Sequence, residues 1–454
     1  MSVRHLHLMG VGGVGMCGIA EILLAEGLTV SGCDLVDSER TRRLVESGAV
    51  VHIGHDPAHL EGVDGLVVSA AVPADDPELQ AARAGGLPVI RRAEMLAELM
   101  RLRRGVAVAG THGKTTTTAL VGHLLTHAGA DPTVIVGGRA HFLGAHARVG
   151  ESSLLVCEAD EYDRSFLELA PHLTVITNLE PEHLDCYGDE EDLAEAFATF
   201  ANRTSVFGSV VLCADDPGAW GLRGALRRTV VGYGASSEAE LRMRIEAMDA
   251  AGTQFVVQGG DGELGRVFLP LPGAFNALNA LAAIAVGLEL DLDFDALAEG
   301  CASFTGVARR FEVLGERDGV TVVDDYAHHP TELRAVLEAT RQAMPGRRVA
   351  AVFQPHLFSR TRDFADDFAE ALLGAEIAVV LPIYPAREEP IEGVSSQLLV
   401  DEALRLGHPH VLAGPPPEEA LGLLEEVLRP GDVLLTLGAG DVDLLAGAWL
   451  EGGS

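Results

Sequence analysis

Lysine is almost absent from this 454-residue sequence, because Lys114 is the only lysine among 33 basic residues. Positive charge is scarce in general, since 67 acidic residues give a net charge of −34. Proteins that bind nucleic acid contact its phosphates through lysine and arginine, so nucleic acid is not expected as the main partner. A lone lysine among arginines indicates a position where a compact ammonium group is required.

Long apolar runs and paired cysteines are also missing. No stretch supplies the roughly 18 apolar residues that a membrane helix needs. The apolar segment Leu8–Ala20 continues into a helical pattern, so a signal peptide is the weaker interpretation. The six cysteines are scattered without a C-x-x-C pair, which favours reduced thiols in the cytoplasm over a disulfide framework or a zinc site. We therefore predict a cytoplasmic protein that does not span a membrane.

Strands and helices alternate along three segments, which predicts an α/β fold with mainly parallel sheets. We place domain boundaries at residues 1–104, 105–309 and 310–454. The content of 48% hydrophobic residues and 52 glycines suits sizeable cores joined by tight turns.

A glycine-rich loop follows the apolar strand 106–109 and opens a helix. Such a loop directs backbone N–H groups and a helix N-terminus at a phosphate, and Lys114 and Thr115 are placed to contact phosphate oxygens and Mg²⁺. The usual P-loop pattern places a glycine where this sequence has Val108, and the alternative is a glycine turn with a surface lysine. The predicted phosphate loop is Gly110-Thr111-His112-Gly113-Lys114-Thr115-Thr116.

Acidic side chains and one imidazole follow the next two buried strands. Glu158 directly follows strand 154–157, and His183 follows strand 173–177. Ligands bind beyond the carboxyl ends of parallel strands, so both side chains are expected to face the phosphate loop, where they suit a divalent ion. The alternative is a pair of solvated acidic loops.

The N-terminal turn Gly10–Gly15 matches G-x-G-x-x-G, and Asp34 ends the next strand where a ribose-binding acid belongs. This pattern predicts a nucleotide site and would also fit NAD, hence an oxidoreductase. A dehydrogenase, however, has no use for a Lys–Thr phosphate loop in its next domain. Two further dense clusters, 324–330 and 354–360, follow strands of the third segment and are predicted to be functional.

Together these motifs resemble the Mur ligase family over essentially the whole chain. The resemblance rests on 10–15, 110–116, 158–166, 177–185, 272–279, 309–311, 324–332 and 353–362. It implies a Rossmann-like UDP-sugar domain, a central P-loop ATPase domain and a Rossmann-like C-terminal domain. The implied activity is the ATP- and Mg²⁺-dependent joining of L-alanine to UDP-N-acetylmuramic acid through an acyl phosphate, in peptidoglycan precursor synthesis. The implied enzyme is a monomer or homodimer.

The resemblance also implies roles for individual residues. Catalysis would involve Lys114, His183 and Asp325, and metal binding would involve Thr115, Glu158 and His183. ATP contacts beyond the phosphate loop would be Asn276, Asn279, Arg310, Asp325, Tyr326 and His328. The UDP-sugar would contact Gly12, Gly13, Val14, Gly15, Asp34 and Ser69, and the amino acid would contact Tyr326, His356 and Arg360.

Three positions depart from the family pattern: Phe275 stands for a histidine, Glu182 for an aspartate, and Leu357 for an arginine in the amino-acid site. The last change removes a guanidinium that could clamp a carboxylate. The carbamylated lysine of sister ligases cannot form, since the only lysine lies in the phosphate loop. A recycling ligase that attaches a tripeptide to the same sugar is the nearest alternative, and a regulatory ATPase without ligase chemistry is a more distant one.

Overall fold

The computed structural model describes residues 3–181, 186–260, 262–386 and 388–452, without the side chains of residues 145 and 146. These residues form two compact units. The first unit comprises the described parts of 1–244, 256–267 and 278–305, and the second comprises those of 245–255, 268–277 and 306–454.

The first unit begins with a five-stranded parallel sheet in the order β3-β2-β1-β4-β5. The last four residues of β1 are all buried, as expected for a parallel strand covered on both faces. The strands are β1 (His5–Met9), β2 (Thr29–Asp34), β3 (Val50–Ile53), β4 (Gly65–Val68) and β5 (Val89–Arg91). The helices are α1 (Val14–Ala25), α2 (Glu39–Glu46), α3 (Pro77–Ala84) and α4 (Arg92–Arg101), and a 3₁₀ turn spans Pro57–Leu60.

Helix α3 begins where the sequence supplies a strong start signal. Asp76 precedes Pro77, and its carboxylate accepts hydrogen bonds from the backbone N–H groups of Glu78 and Leu79 at 2.9 and 3.2 Å. A side-chain cap followed by proline at the first helical position fixes this start.

A larger sheet follows, with the order β13-β12-β11-β10-β6-β9-β7-β8 within the first unit. All of these neighbouring pairs are parallel except β7 with β8. The strands are β6 (Arg104–Ala109), β7 (Thr133–Ala140), β8 (Ala145–Arg148), β9 (Leu154–Glu158), β10 (Leu173–Ile176), β11 (Ser209–Cys213), β12 (Thr229–Gly234), β13 (Leu241–Asp249), β14 (Gly252–Gly259) and β15 (Gly262–Leu269). The helices are α5 (Lys114–His127), α6 (Glu190–Asn202), α7 (Pro217–Gly221), α8 (Ala274–Glu289) and α9 (Phe294–Ala302).

The second unit contains a six-stranded sheet in the order β16-β17-β21-β18-β19-β20, in which only β16 with β17 is antiparallel. Its strands are β16 (Glu312–Arg317), β17 (Val320–Asp325), β18 (Val349–Phe353), β19 (Ile377–Val380), β20 (Val411–Ala413) and β21 (Val433–Leu437). Its helices are α10 (Pro330–Ala343), α11 (Phe358–Asp363), α12 (Ala365–Leu372), α13 (Ser396–Arg405), α14 (Leu421–Val427) and α15 (Val442–Glu451). Val322 and Val323 lie in two different cores, because successive side chains of a strand point to opposite faces.

The predicted α/β class with mainly parallel sheets is confirmed. The described residues contain no helix that is both long enough and apolar enough to cross a membrane. All six cysteines are free thiols. The sequence also predicts a hairpin over 254–269 with its turn at 259–262, and β14 and β15 are neighbouring strands there. Of the turn residues, only Asp261 lies outside the described residues.

Candidate active site

The phosphate loop connects β6 to α5, as the sequence predicts, and two of its glycines have backbone conformations that other residues rarely adopt. Gly110 has φ +139° and Gly113 has φ +79°. A Cβ at Gly110 would lie 2.0 Å from Oγ1 of Thr177, and one at Gly113 would lie 2.8 Å from Oδ1 of Asn279. Glycine is therefore required at both positions by backbone conformation and by space.

Lys114 is the first residue of α5, and its ammonium group is held from three sides. Nζ donates hydrogen bonds to the backbone oxygens of Gly110 and Thr111 at 2.7 and 3.1 Å. It also lies 2.9 and 2.8 Å from the two carboxylate oxygens of Glu161. Burial raises the pKa of Glu161, although the nearby Lys114 charge opposes this shift. A fixed cation thus sits at the loop where phosphate charge would be bound.

Glu158 ends β9 beside the first turn of α5. The hydroxyl of Thr115 donates to its Oε2 at 3.2 Å, and the backbone N–H of Gly137 donates to its Oε1. A hydroxyl and a carboxylate at this distance are the hard oxygen ligands that Mg²⁺ prefers. The donor set therefore fits a magnesium ion between Thr115 and Glu158.

The residues after β10 hold the phosphate loop from the other side. Asn178 accepts a hydrogen bond from the backbone N–H of His112 at 2.7 Å and donates one to the oxygen of the same residue at 3.0 Å. Thr177 donates to that oxygen as well, at 2.7 Å. His183, predicted as a catalytic and metal-binding residue, and Glu182 lie outside the described residues.

The N-terminal glycine turn follows β1 and opens α1. The backbone N–H of Gly12 donates to Oδ2 of Asp34 at 2.9 Å, so the predicted acid meets the predicted turn. The Arg40 side chain donates to the oxygen of Gly12. Ser69 lies at the end of β4, and a Cβ at Gly10 would come within 3.1 Å of its Cβ. These residues therefore meet at the carboxyl ends of β2, β1 and β4.

A cleft joins this turn to the phosphate-loop region of the first unit. Val14, Gly15, Arg92 and Glu158 line it, together with apolar side chains such as Phe166. The guanidinium of Arg92 lies so close to Gly15 that an added Cβ would be 2.8 Å from its Nη1. The cleft thus has a cationic group at one side and the Glu158 carboxylate at the other.

Asn276 and Asn279, the predicted adenine contacts, lie one turn apart on α8. Both are buried, and the Asn276 amide donates to the backbone oxygen of Pro272 at 2.7 Å. Asn279 is the residue that approaches Gly113. The structure therefore brings Asn279 to the phosphate loop.

In the second unit, Asp325 is the buried last residue of β17. Its carboxylate accepts hydrogen bonds from the backbone N–H groups of Phe311 and Ala327 at 2.7 and 2.8 Å. Burial raises its pKa to about 7, although Arg310 opposes the shift. Arg309 and Phe311 both have positive φ, so Asp325 holds a strained segment in place.

That segment presents Arg310 to Tyr326, with the guanidinium carbon 5.0 Å from the ring centroid. Arg309 pairs with Asp324 at 3.0 Å and donates to the backbone oxygens of Gly438 and Gly440. Its guanidinium carbon also lies 5.2 Å from the Tyr326 ring centroid, so both arginines lie against the predicted aromatic contact.

Four aromatic rings and one arginine lie together near the carboxyl ends of β17 and β18. We call this group the imidazole cluster, and it consists of Tyr326, His328, His356, Arg360 and Tyr384. The ring of His328 is 5.4 Å from that of Tyr326 and 5.9 Å from that of His356. His356 stacks on Tyr384 at 5.8 Å, and Nη1 of Arg360 is 3.4 Å from Nδ1 of His356. The structure thus assembles all of the predicted amino-acid contacts.

Leu357 begins α11 with φ +72°, a conformation that is unusual for a branched side chain. Its backbone N–H donates to the oxygen of Tyr384 at 3.0 Å, and the hydroxyl of Thr361 donates to its backbone oxygen at 2.7 Å. The position where the resemblance implies an arginine is therefore held in a defined conformation next to the imidazole cluster.

Sequence reasoning missed three contributors to the first unit's site: Glu161, Asn178 and Arg92. Glu161 and Asn178 lie in runs that the sequence singled out, but only contacts show which member of a run matters. Arg92 carries no motif, since it is one of several arginines in the segment 91–104.

Comparison with known proteins covers nearly the whole chain. Family models described as "Mur ligase family, catalytic domain", "Mur ligase middle domain" and "Mur ligase, glutamate ligase domain" match residues 5–104, 108–287 and 309–440. A UDP-N-acetylmuramate–L-alanine ligase of Salinibacter ruber is 46% identical over 99% of this chain and 95% of its own length. One of Nitratidesulfovibrio vulgaris is 48% identical over 99% of both chains.

Solved structures agree. The UDP-N-acetylmuramate–alanine ligase MurC of Thermotoga maritima superposes with a TM-score of 0.81 at 29% identity, over 99% of both chains. A murein peptide ligase of Psychrobacter arcticus shares the fold, with a TM-score of 0.70 at 22% identity over 99% of this chain and 98% of its own. On these matches the chain belongs to the Mur ligase family.

Proposed function

We propose that this protein is an ATP-dependent ligase that forms an amide bond between the lactyl carboxylate of UDP-N-acetylmuramic acid and L-alanine, in the cytoplasmic synthesis of peptidoglycan precursors. The observation that carries the proposal is the fixed cation of the phosphate loop, Lys114, with Thr115 next to it in the chain and Glu158 hydrogen-bonded to Thr115. The names of relatives that are 46–48% identical support the two substrates. We place the three domains at 1–104, 105–309 and 310–454.

The reaction needs activation because a free carboxylate is a poor electrophile. A carboxylate oxygen of the sugar attacks the γ-phosphorus of ATP, the bond to the β-phosphate oxygen breaks, and ADP leaves. The resulting acyl phosphate is attacked at its carbonyl carbon by the neutral amine of L-alanine. The bond to phosphate then breaks, and the amine loses a proton as the amide forms.

The protein's main task in the first step is to bring two anions together. Lys114 and the backbone N–H groups at the start of α5 supply positive charge where negative charge accumulates on the transferring phosphoryl group. The cleft beside Arg92 and Glu158 provides a route from the glycine turn of the sugar domain to the phosphate loop within the first unit. Alignment of the reacting groups supplies much of the remaining acceleration.

Magnesium would be held by Thr115 and Glu158, and we propose His183 as a further ligand. When bound there, the ion would neutralise phosphate charge and orient the oxygens. The two protein oxygens are already adjacent, so the ligand geometry requires little rearrangement.

The remaining assignments follow the family pattern. The sugar nucleotide is proposed to contact the turn 12–15, Asp34 and Ser69. ATP is proposed to contact Asn276, Asn279, Arg310, Asp325, Tyr326 and His328, and L-alanine to contact Tyr326, His356 and Arg360. Asp325 is expected to act by holding the segment of Arg310, since both of its oxygens accept backbone hydrogen bonds.

Phosphate release by the purified protein tests this proposal. We expect release to require ATP, Mg²⁺, UDP-N-acetylmuramic acid and L-alanine together, and to yield the sugar–alanine conjugate. Release only with the tripeptide would identify the recycling ligase instead. Substrate-independent ATP hydrolysis would identify a regulatory ATPase, and turnover of a nicotinamide cofactor would identify an oxidoreductase.

A further inference from the structure

A second group of metal-ligating side chains lies inside the N-terminal sheet, away from the residues assigned above. His7 on β1, Cys33 on β2, His59 in the 3₁₀ turn and Glu78 on α3 each offer one ligand atom, and these four atoms lie within 4.8 Å of one another. His7, Cys33 and Glu78 are completely buried, and 14% of the His59 side chain is exposed. Carboxylates are almost never fully buried unless they are paired, so the positive charge that pairs with Glu78 in this group has to be identified.

The hydrogen bonds around Ser31 determine which ring nitrogen carries the proton when His7 is neutral. His5 Nδ1 faces the backbone oxygen of Gly62 at 3.2 Å, and a carbonyl oxygen can only accept, so this nitrogen carries the proton. In the neutral ring, Nε2 of His5 must then accept the hydroxyl proton of Ser31, at 2.7 Å. Ser31 has no second proton to donate, so it accepts from Nδ1 of His7 at 2.8 Å.

This chain of donors leaves Nε2 of neutral His7 with a lone pair that faces the cluster. Oε1 of Glu78 is 2.9 Å from that nitrogen. Among the described residues, no group has the alignment for a hydrogen bond to either atom. Two lone pairs at this distance repel each other unless a cation lies between them, and that cation is either a proton on His7 or a metal ion.

Two further distances, both to Oε2 of Glu78, are close to those between neighbouring ligands of a metal. Cys33 Sγ and His59 Nδ1 are 3.5 and 3.3 Å from Oε2 of Glu78. Zinc bonds of about 2.0–2.3 Å in a tetrahedron place neighbouring ligand atoms roughly 3.3–3.8 Å apart. The ligands also have outer partners, since Ser31 orients His7 and the backbone N–H of Asp56 donates to Glu78 at 2.9 Å.

We propose that His7, Cys33, His59 and Glu78 form a structural zinc site. One thiolate, two imidazoles and one carboxylate complete a tetrahedral shell without an open position, which is typical of structural rather than catalytic zinc. Cys33 binds as the thiolate and releases its proton to solvent on binding. The ion joins β1, β2, α3 and the 3₁₀ turn, and His59 at the surface gives the metal access.

The site does not depend on the proposed ligase activity, and its position predicts a contribution to stability. Cys33 directly precedes Asp34, the predicted sugar-binding acid, so the site would also anchor the end of β2. A sequence rule that searches for paired cysteines does not detect this site, because it contains a single cysteine and its four ligands come from four separate segments.

Metal analysis and cobalt spectroscopy of the full-length protein test the site. We expect about one zinc per chain after purification without chelator or nucleotide. Replacement by cobalt(II) is expected to give a thiolate-to-cobalt charge-transfer band and the strong visible absorption of tetrahedral cobalt. Cys33→Ser should abolish the charge-transfer band, whereas the control Cys213→Ser, a buried cysteine of β11, should keep it.

A second variant tests the site independently, so that the result does not depend on the correct folding of Cys33→Ser. His59→Gln changes the one partly exposed ligand and should weaken cobalt binding at least tenfold while the far-ultraviolet circular dichroism is unchanged. Zinc should raise the melting temperature of the chelator-treated wild type and not that of either variant. Absence of stoichiometric zinc together with absence of a cobalt–thiolate band, or a band that persists in Cys33→Ser, would overturn the site and favour a protonated His7 paired with Glu78.

Discussion

The phosphate loop and the imidazole cluster both lie at the carboxyl ends of parallel strands, yet they use different means to fix their side chains. In the phosphate loop a single ammonium is bound by one buried carboxylate and two backbone oxygens. In the imidazole cluster, rings contact one another, and the adjacent buried acid, Asp325, accepts hydrogen bonds from backbone N–H groups. The difference teaches that charge is fixed where we propose that phosphate is transferred, whereas shape is fixed where we propose that a small amino acid is selected.

The largest expected effect comes from removing the fixed charge. Lys114→Ala should lower kcat by on the order of 10²–10³ or more, because a cation that stabilises the transferring phosphoryl group contributes several kcal/mol. Steady-state phosphate release measures the loss, with circular dichroism as the folding control. Lys114→Arg restores charge but not the compact shape, and we expect it to remain impaired. Activity of Lys114→Ala within tenfold of wild type would contradict the role.

The next prediction concerns the acid of the second region. The native state binds the Asp325 proton more tightly than the unfolded state, because burial raises its pKa from 3.8 to about 7. Its contribution to stability is therefore fully present below about pH 4 and is lost as the pH rises through about 7. Asp325→Asn cannot titrate. The unfolding free energy of wild type relative to this variant should fall across that range, by up to about 4 kcal/mol.

Thermal or urea unfolding at several pH values measures this difference. The comparison with the variant cancels the titration of other groups. A difference between wild type and Asp325→Asn that stays constant from pH 4 to 8 would show that Asp325 remains ionised.

A smaller effect on ATP affinity is expected from Glu161. It distinguishes whether the ion pair with Lys114 competes with phosphate or positions the ammonium group for it. The ammonium of Lys114 must give up contact with Glu161 to bind phosphate, and a hydrogen bond to a charged group is worth roughly 1.5–3 kcal/mol. Glu161→Gln should therefore bind ATP about tenfold more tightly while unfolding at a lower temperature. Isothermal titration calorimetry of ATP measures the affinity. Weaker binding would instead mean that Glu161 positions Lys114 for the nucleotide.

The smallest effect is expected at Leu357. Leu357→Arg adds a guanidinium beside the imidazole cluster that can clamp the carboxylate of L-alanine, and its KM for L-alanine should fall a few-fold. Leu357→Lys is the matched control for charge without the planar fork, and Leu357→Gly relieves the positive φ alone. An unchanged KM in Leu357→Arg would show that other groups already bind the carboxylate.

Much of the fold could be predicted because its strands are apolar on both faces. The segments 5–9, 349–353 and 433–437 predict strands, and the structure has strands with these bounds, His5–Met9, Val349–Phe353 and Val433–Leu437. The edge strands Val50–Ile53 and Glu312–Arg317 were not predicted, because half-exposed strands carry polar residues and lack an apolar run. The charged segment 91–104 predicts one helix, and α4 is shorter than this segment at both ends, since helix ends have weak sequence signals.

The candidate site was predictable where a glycine or a lysine has no substitute, as at Gly113 and Lys114. The partners of such residues were not, because a contact between β10 and the phosphate loop joins residues about 66 positions apart. Asn178 illustrates this: nothing in its immediate sequence indicates that its amide holds His112 from both sides. The ligands of the proposed zinc site were not predicted for the same reason, since four separate segments supply one ligand each.

The solitary lysine has a practical consequence for spectroscopy. Reductive methylation with ¹³C-formaldehyde modifies primary amines, and this sequence offers a single ε-amino group, 17% of whose side chain is exposed. The dimethylated product should give one side-chain resonance, well separated from that of the α-amino group. That resonance would report directly on nucleotide occupancy without any engineered label.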